Sequence, residues 1–284
     1  MGKKYEFTVG DAQKVTAFLA TAVAGLSRAK ADILVKSGEV RVNGARVKTN
    51  AELACGDVVT VFVPDGVGRE LSLKIVYDDD NIVVIDKPKR TAYDALPQAY
   101  GSPLFAVHRL DTNTTGLIVF AKTERALTEL TSAFRERRAA KTYEAVVSPA
   151  PKADHATLTA YMKLQRSQNV VVVTDKPQSG YKTMITEYEV IERIGRAAVV
   201  RVFPHTGRTH QIRAHFNFIG SPIIGEHKYY IKGGDRYVGE PDTQMLAAVA
   251  LEFSGIHGKL KYLNGKKFVT DSGFDLEFLR NAPF

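Results

Sequence analysis

The spacing of strand-like segments constrains this chain more than any other feature. Residues 81–86, apolar throughout 82–85, and residues 117–121, apolar throughout, have the pattern of strands buried on both faces. Residues 142–147 alternate apolar and polar, and 170–173, 183–191 and 197–202 add further strands. Among them, 123–138 reads as a helix with Ala126, Leu127, Leu130 and Phe134 on one face. The segments do not alternate strictly as strand, helix, strand. A doubly wound parallel sheet is therefore disfavoured and the expected class is α+β. At 284 residues and 44% hydrophobic content, the chain can build one large domain and a small one.

The small one is read at the start. Residues 14–36 have helical spacing, with Val15, Phe18, Leu19 and Val23 on one face and a second start at Ser27, a helix-capping residue. Val40 and Val42 then alternate with polar residues, and Asn43-Gly44 signals a tight hairpin. Gly56-Asp57 is a turn before strand 58–63, and 64–68 reads as a linker. The expected domains are thus 1–68 and 69–284.

Lysine and arginine number 39 against 31 acids, a formal charge of +8. That balance favours an anionic partner. The single cysteine, Cys55, excludes an internal disulfide, and no Cys/His set has zinc spacing. No stretch reads as a signal peptide or membrane span, so a cytoplasmic protein without membrane association is expected. No obligatory protein partner is indicated.

Three motifs carry chemistry. In His108-Arg109-Leu110-Asp111-Thr112-Asn113-Thr114-Thr115-Gly116-Leu117, an acid sits between a polar turn and an apolar strand, flanked by a cation and hydroxyls. A second polar run is Gly207-Arg208-Thr209-His210-Gln211-Ile212-Arg213-Ala214-His215, and between the two lies Lys141-Thr142-Tyr143-Glu144-Ala145. Together these resemble the defining motifs of the RluA-type pseudouridine synthases, which isomerise uridine in RNA. The N-terminal unit, over about residues 10–64, resembles the alpha-L RNA-binding motif shared with small-ribosomal-subunit protein four.

The resemblance implies a mixed, largely antiparallel central sheet in the catalytic domain. It implies Asp111 as catalytic carboxylate, Arg213 as its ionic partner, and Tyr143 stacked on the target base and assisting proton removal from carbon 5. Ile212 would touch the flipped base. His108 and Arg109 would hold phosphate or fill the vacated space, and Thr209, His210 and Gln211 would bind RNA or orient their loop. Arg28, Lys30, Arg41 and Lys48 would contact phosphates. The implied partner is structured RNA, with large-subunit ribosomal RNA favoured over transfer RNA.

The chain also departs from the family pattern. Lys87-Pro88-Lys89-Arg90 lacks the usual glycine, Glu226 replaces an aspartate, Ala247-Ala248 lacks a histidine, and Gln13-Lys14-Val15-Thr16 replaces an Arg-Leu-Asp opening.

The chemistry explains the residue types. Uracil must detach from the sugar, turn, and reattach through carbon 5. Positive charge develops at the anomeric carbon, where a carboxylate stabilises it, as in glycoside hydrolysis. Direct attack on the sugar and proton removal to a glycal both fit. No redox step or energy input is needed, so no cofactor is expected, and His210 with His215 lacks a third metal ligand. Two other readings use the same residues: a non-catalytic RNA-binding protein, against which Asp111, Tyr143 and Arg213 all stand, and a hydrolase of free nucleosides, which leaves the basic N-terminal unit unexplained.

Overall fold

A computed structural model describes residues 3–23, 26–64, 72–165, 170–229, 237 and 239–281. Met1–Leu73 with Asp94–Pro103 form one unit, and Lys74–Tyr93 with Leu104–Phe284 form the other. Of the expected linker only Pro64 is described; 65–68 lie outside the described residues.

The first unit follows its local signals closely. Helices Val15–Ala22 and Arg28–Ser37 pack on an antiparallel sheet ordered Lys3–Thr8, Val58–Val63, Val40–Val42, Ala45–Val47. The Ser27 hydroxyl accepts from the Lys30 amide at 3.3 Å, and Gly38 ends that helix in the left-handed region at φ 78°. Asn43 and Gly44 both have positive φ, 50° and 80°, as a two-residue hairpin turn requires. Val15, Leu19, Leu34, Val35, Val40, Val59 and Val61 fill the core between helices and sheet. Strand Lys3–Thr8 was not expected, because its lysines mask the alternation of Tyr5 and Phe7. Segment 94–103, expected within the catalytic domain, belongs here: Leu96 is buried and the Gln98 side chain donates to the Ala20 carbonyl at 2.9 Å.

The second unit is built on one sheet of eleven strands. Across it run Val170–Thr174, His155–Gln165, Lys182–Ile194, Ala197–Pro204, Ala139–Val147, Leu246–Phe253, Thr115–Ala121, Ile82–Lys87 and Lys74–Asp78. Phe105–Ala106 and Lys267–Val269 pair at the side. All pairings are antiparallel except that of Thr115–Ala121 with Leu246–Phe253. This is the expected mixed, mainly antiparallel α+β arrangement.

The parallel pair is short and close. A β-carbon on Gly116 would lie 2.2 Å from the Ala248 carbonyl oxygen, so only glycine fits there, at φ 99°. Helix Glu124–Arg135 covers one face, burying Ala126, Leu130 and Ala133 against Leu117, Val119 and Phe253. Each large apolar side chain buried this way contributes roughly 1.5–3 kcal/mol. That packing fixes strand Thr115–Ala121, and with it the loop that carries Asp111.

Candidate active site

Asp111 stands in the turn before strand Thr115–Ala121. Its carbonyl accepts from the Thr114 amide at 3.0 Å, and the Thr114 hydroxyl accepts from Gln244 at 2.7 Å. The turn is also held by Lys87. This fully buried lysine donates to the carbonyls of Pro88, Thr91 and Thr112 at 3.0, 2.8 and 3.0 Å. Burial drives its pKa down to about 8, with the Asp111 charge pulling the other way. Sequence reasoning missed Lys87 as a site residue; a lysine closing the buried run 82–85 was its only signal.

Arg213 projects from helix Gln211–Phe218. Its Nη1 donates to Asp111 Oδ2 at 2.7 Å. Its Nε and Nη2 donate to the two oxygens of Glu226 at 2.5 and 3.0 Å. Glu226 in turn accepts from the amides of Lys228 and Tyr229 at 2.7 and 3.3 Å. Burial works against both charges, yet the paired geometry wins: the pKa of Arg213 is raised, and that of Glu226 is lowered. The guanidinium is thus a bridge between two carboxylates, with one edge reserved for Asp111. The Tyr229 ring lies 5.5 Å from the guanidinium carbon. Glu226, which the sequence marked only as a departure from the family pattern, is therefore one contact from Asp111.

Asp111, Tyr143, Ile212 and Arg213 line one cleft of about 890 Å³. Tyr143 is almost fully buried on strand Ala139–Val147, at a register irregularity between Thr142 and Tyr143. Arg109 and Thr209 also line the cleft; Arg109 is exposed and its guanidinium lies 5.9 Å from the Tyr93 ring centre.

His108, His210 and Gln211 line the same cleft, and each also bonds a polar atom inside the fold. His108 Nε2 accepts from the Val119 amide at 3.1 Å and the ring stacks on Phe134; burial first, then Lys141, holds its pKa down at about 3. His210 pairs through Nδ1 with the Tyr229 hydroxyl at 2.7 Å, and burial lowers it to about 4. Gln211 joins Thr206, Arg208, Ile185 and Thr186, bracing the loop that leads to Arg213. Neutral imidazoles of this kind supply shape and hydrogen bonds, not charge for phosphate. His215 is likewise lowered to about 4 by burial and pairs with Thr186. Among the described residues no group of three or more His, Cys, Asp or Glu is placed to hold a metal.

The missing glycine after Lys87-Pro88 has a structural counterpart. Arg90 takes φ 59°, the left-handed conformation that favours glycine, and its guanidinium pairs with Asp242. In the first unit Arg28, Lys30, Arg41 and Lys48 are all exposed. Arg41 lies directly opposite Arg46 across the hairpin, a second cation that sequence reasoning passed over. Like charges so placed repel, and an anion between them would relieve the repulsion.

Residues 75–218 match the family model described as RNA pseudouridylate synthase. Aligned over 277 positions, the chain is 32% identical to "Ribosomal large subunit pseudouridine synthase C" of Escherichia coli (strain K12), covering 85% of each protein. It is 31% identical over 268 positions to "Uncharacterized RNA pseudouridine synthase YlyB" of Bacillus subtilis (strain 168), covering 85% of this chain and 86% of that one. Among solved structures, human RNA Pseudouridylate Synthase Domain Containing 1 shares the fold with a TM-score of 0.62 at 24% identity, covering 74% of this chain and 88% of the other.

Proposed function

This chain belongs to the RNA pseudouridylate synthase family, and on that premise we propose that it isomerises specific uridines of structured large-subunit ribosomal RNA, with Asp111 as catalytic carboxylate. The observation that carries the assignment of Asp111 is its bond to Arg213 at 2.7 Å, beside the buried Arg213–Glu226 pair. The names of the relatives support ribosomal RNA as substrate.

The target nucleotide leaves its stack and enters the cleft, whose volume of about 890 Å³ suits a nucleotide. The bond from uracil N1 to the sugar C1′ breaks while the Asp111 carboxylate faces the anomeric centre. The base turns, C5 bonds to C1′, the C5 proton is lost and N1 gains a proton. Tyr143 supplies a ring to stack on the uracil and a hydroxyl near the departing proton, and Ile212 supplies an apolar contact. Arg213 keeps one Asp111 oxygen fixed and leaves the other for the sugar. Site mapping of pseudouridines in total RNA, with and without the gene, tests the substrate. Loss of one or a few positions in large-subunit RNA is expected; loss confined to transfer RNA would overturn the ribosomal assignment.

Residues 1–64 act in this reading as an RNA-docking unit. Replacing Arg28, Lys30, Arg41 and Lys48 together by glutamine is expected to weaken binding to structured RNA. The slope of log affinity against log salt should become shallower by about one unit for each phosphate no longer neutralised. Because all four side chains are exposed, the melting temperature should hold. An unchanged slope would reduce these residues to solvated surface.

A further inference from the structure

Helix Glu124–Arg135 ends in a paired-hydrogen-bond turn. The Arg137 amide bonds to the Phe134 carbonyl at 3.3 Å, and the Arg138 amide bonds to the Ala133 carbonyl at 2.7 Å. The residue between the two bonds must be left-handed, and such turns normally place glycine there. Here it is Arg137, at φ 59°. The chain thus carries a β-carbon where the backbone disfavours one, and outliers of this kind gather at functional sites.

The Arg137 side chain brings no compensating contact. It is exposed, and its guanidinium makes no hydrogen bond or ion pair with any described residue. The adjacent acid, Glu136, is taken by Arg138 at 2.5 Å and by Ser132 at 2.6 Å. Yet Arg137 lines the same cleft as Asp111 and Tyr143. Five other Lys or Arg side chains line it, and each has a local contact: Arg213 is held by Asp111 and Glu226. Arg109 lies near Tyr93 and Lys141 near Phe134, at 5.9 and 5.7 Å from the ring centres. Arg135 reaches Glu136 at 3.5 Å, and Arg208 donates to the Thr183 carbonyl at 3.1 Å.

We propose that Arg137 binds a backbone phosphate of the RNA strand that enters the Asp111 cleft, and that this contact is why an arginine stands at a glycine-type position. The inference rests on the reading of the cleft as an RNA site. An unbraced guanidinium suits a phosphate, which accepts from many directions, better than a base edge, which needs a fixed fork. Such a contact fixes the path of the strand and is indifferent to sequence.

The test is Arg137→Gly, which removes the charge and the strained β-carbon together. The melting temperature should stay the same or rise. KM for the RNA should rise several-fold, with the effect falling on KM rather than kcat, and the salt slope of binding should become shallower by about one unit. Arg137→Lys should restore the slope, since a point charge suffices for a phosphate. If Arg137→Gly raises stability but leaves KM and the salt slope untouched, the proposal is overturned. A lowered melting temperature with an unchanged slope also overturns it, by making Arg137 a structural cap. Asp111→Asn run in parallel separates the two levels. If it abolishes turnover while Arg137→Gly leaves binding intact, only the phosphate contact fails; if it retains turnover, the cleft assignment fails and takes the proposal with it.

Discussion

Asp111→Asn is expected to lower kcat by about 10⁴-fold or more, the scale seen when an enzyme loses the group that meets the reacting carbon. The change removes charge while keeping size. Asparagine still offers a carbonyl oxygen to Arg213 Nη1, and the Arg213–Glu226 pair is untouched. The turn itself is held by Lys87, Thr91 and Gln244 through backbone carbonyls and Thr114, none of which uses the Asp111 carboxylate. Folding and RNA affinity should therefore survive. Tritium release from RNA labelled at uracil carbon 5 reads the reaction directly, and a filter-binding titration reads affinity. Near-normal tritium release would exclude Asp111 as the catalytic carboxylate. Loss of binding in step with turnover would make its role structural.

Asp111 was legible through the resemblance of the motif around it, a polar turn with a cation ahead of an apolar strand, to that of a known family. The same sequence hid helix Gln211–Phe218, which carries Arg213. A surface helix announces itself by an apolar stripe. Here all six residues from Gln211 to Phe216 are buried, three of them polar (Gln211, Arg213 and His215), so the helix has no exposed polar face against which an apolar stripe could stand out. Burial of those groups is tolerated only because each finds a partner on Thr186, Ile185, Asp111 or Glu226. Such partners lie far off in sequence and are visible only in the fold. Glu226 was illegible for that reason. Strand His155–Gln165 was missed for another: among its residues only Ala160 and Met162 are fully buried, too few for its alternation to stand out. Local capping and turn signals fared better, because Ser27, Asn43 and Gly44 act through backbone geometry that needs no distant partner.

Arg213→Ala should combine two effects that separate experimentally. The first is catalytic. Without the guanidinium, the Asp111 oxygen that now bonds at 2.7 Å loses that donor, and kcat should fall by about 10²–10³-fold, the scale for a preorganised donor at a reacting centre. The second is structural. Glu226 is left buried without its cation, and stranding one partner of a buried pair costs about 3–5 kcal/mol. The melting temperature should drop accordingly. Glu226→Gln divides the effects, because it keeps a hydrogen-bond acceptor for Arg213 but removes the second carboxylate; its stability loss should be smaller and its kcat closer to the parent protein. Arg213→Lys is expected to recover part of the stability and little of the rate. An ammonium can satisfy Asp111 or Glu226, but it cannot present one edge to each. The measurement is kcat per folded molecule, at a temperature well below every variant's melt. If the folded fraction of Arg213→Ala turns over at the parent rate, the bridge serves stability alone and the pairing with Asp111 has no part in catalysis.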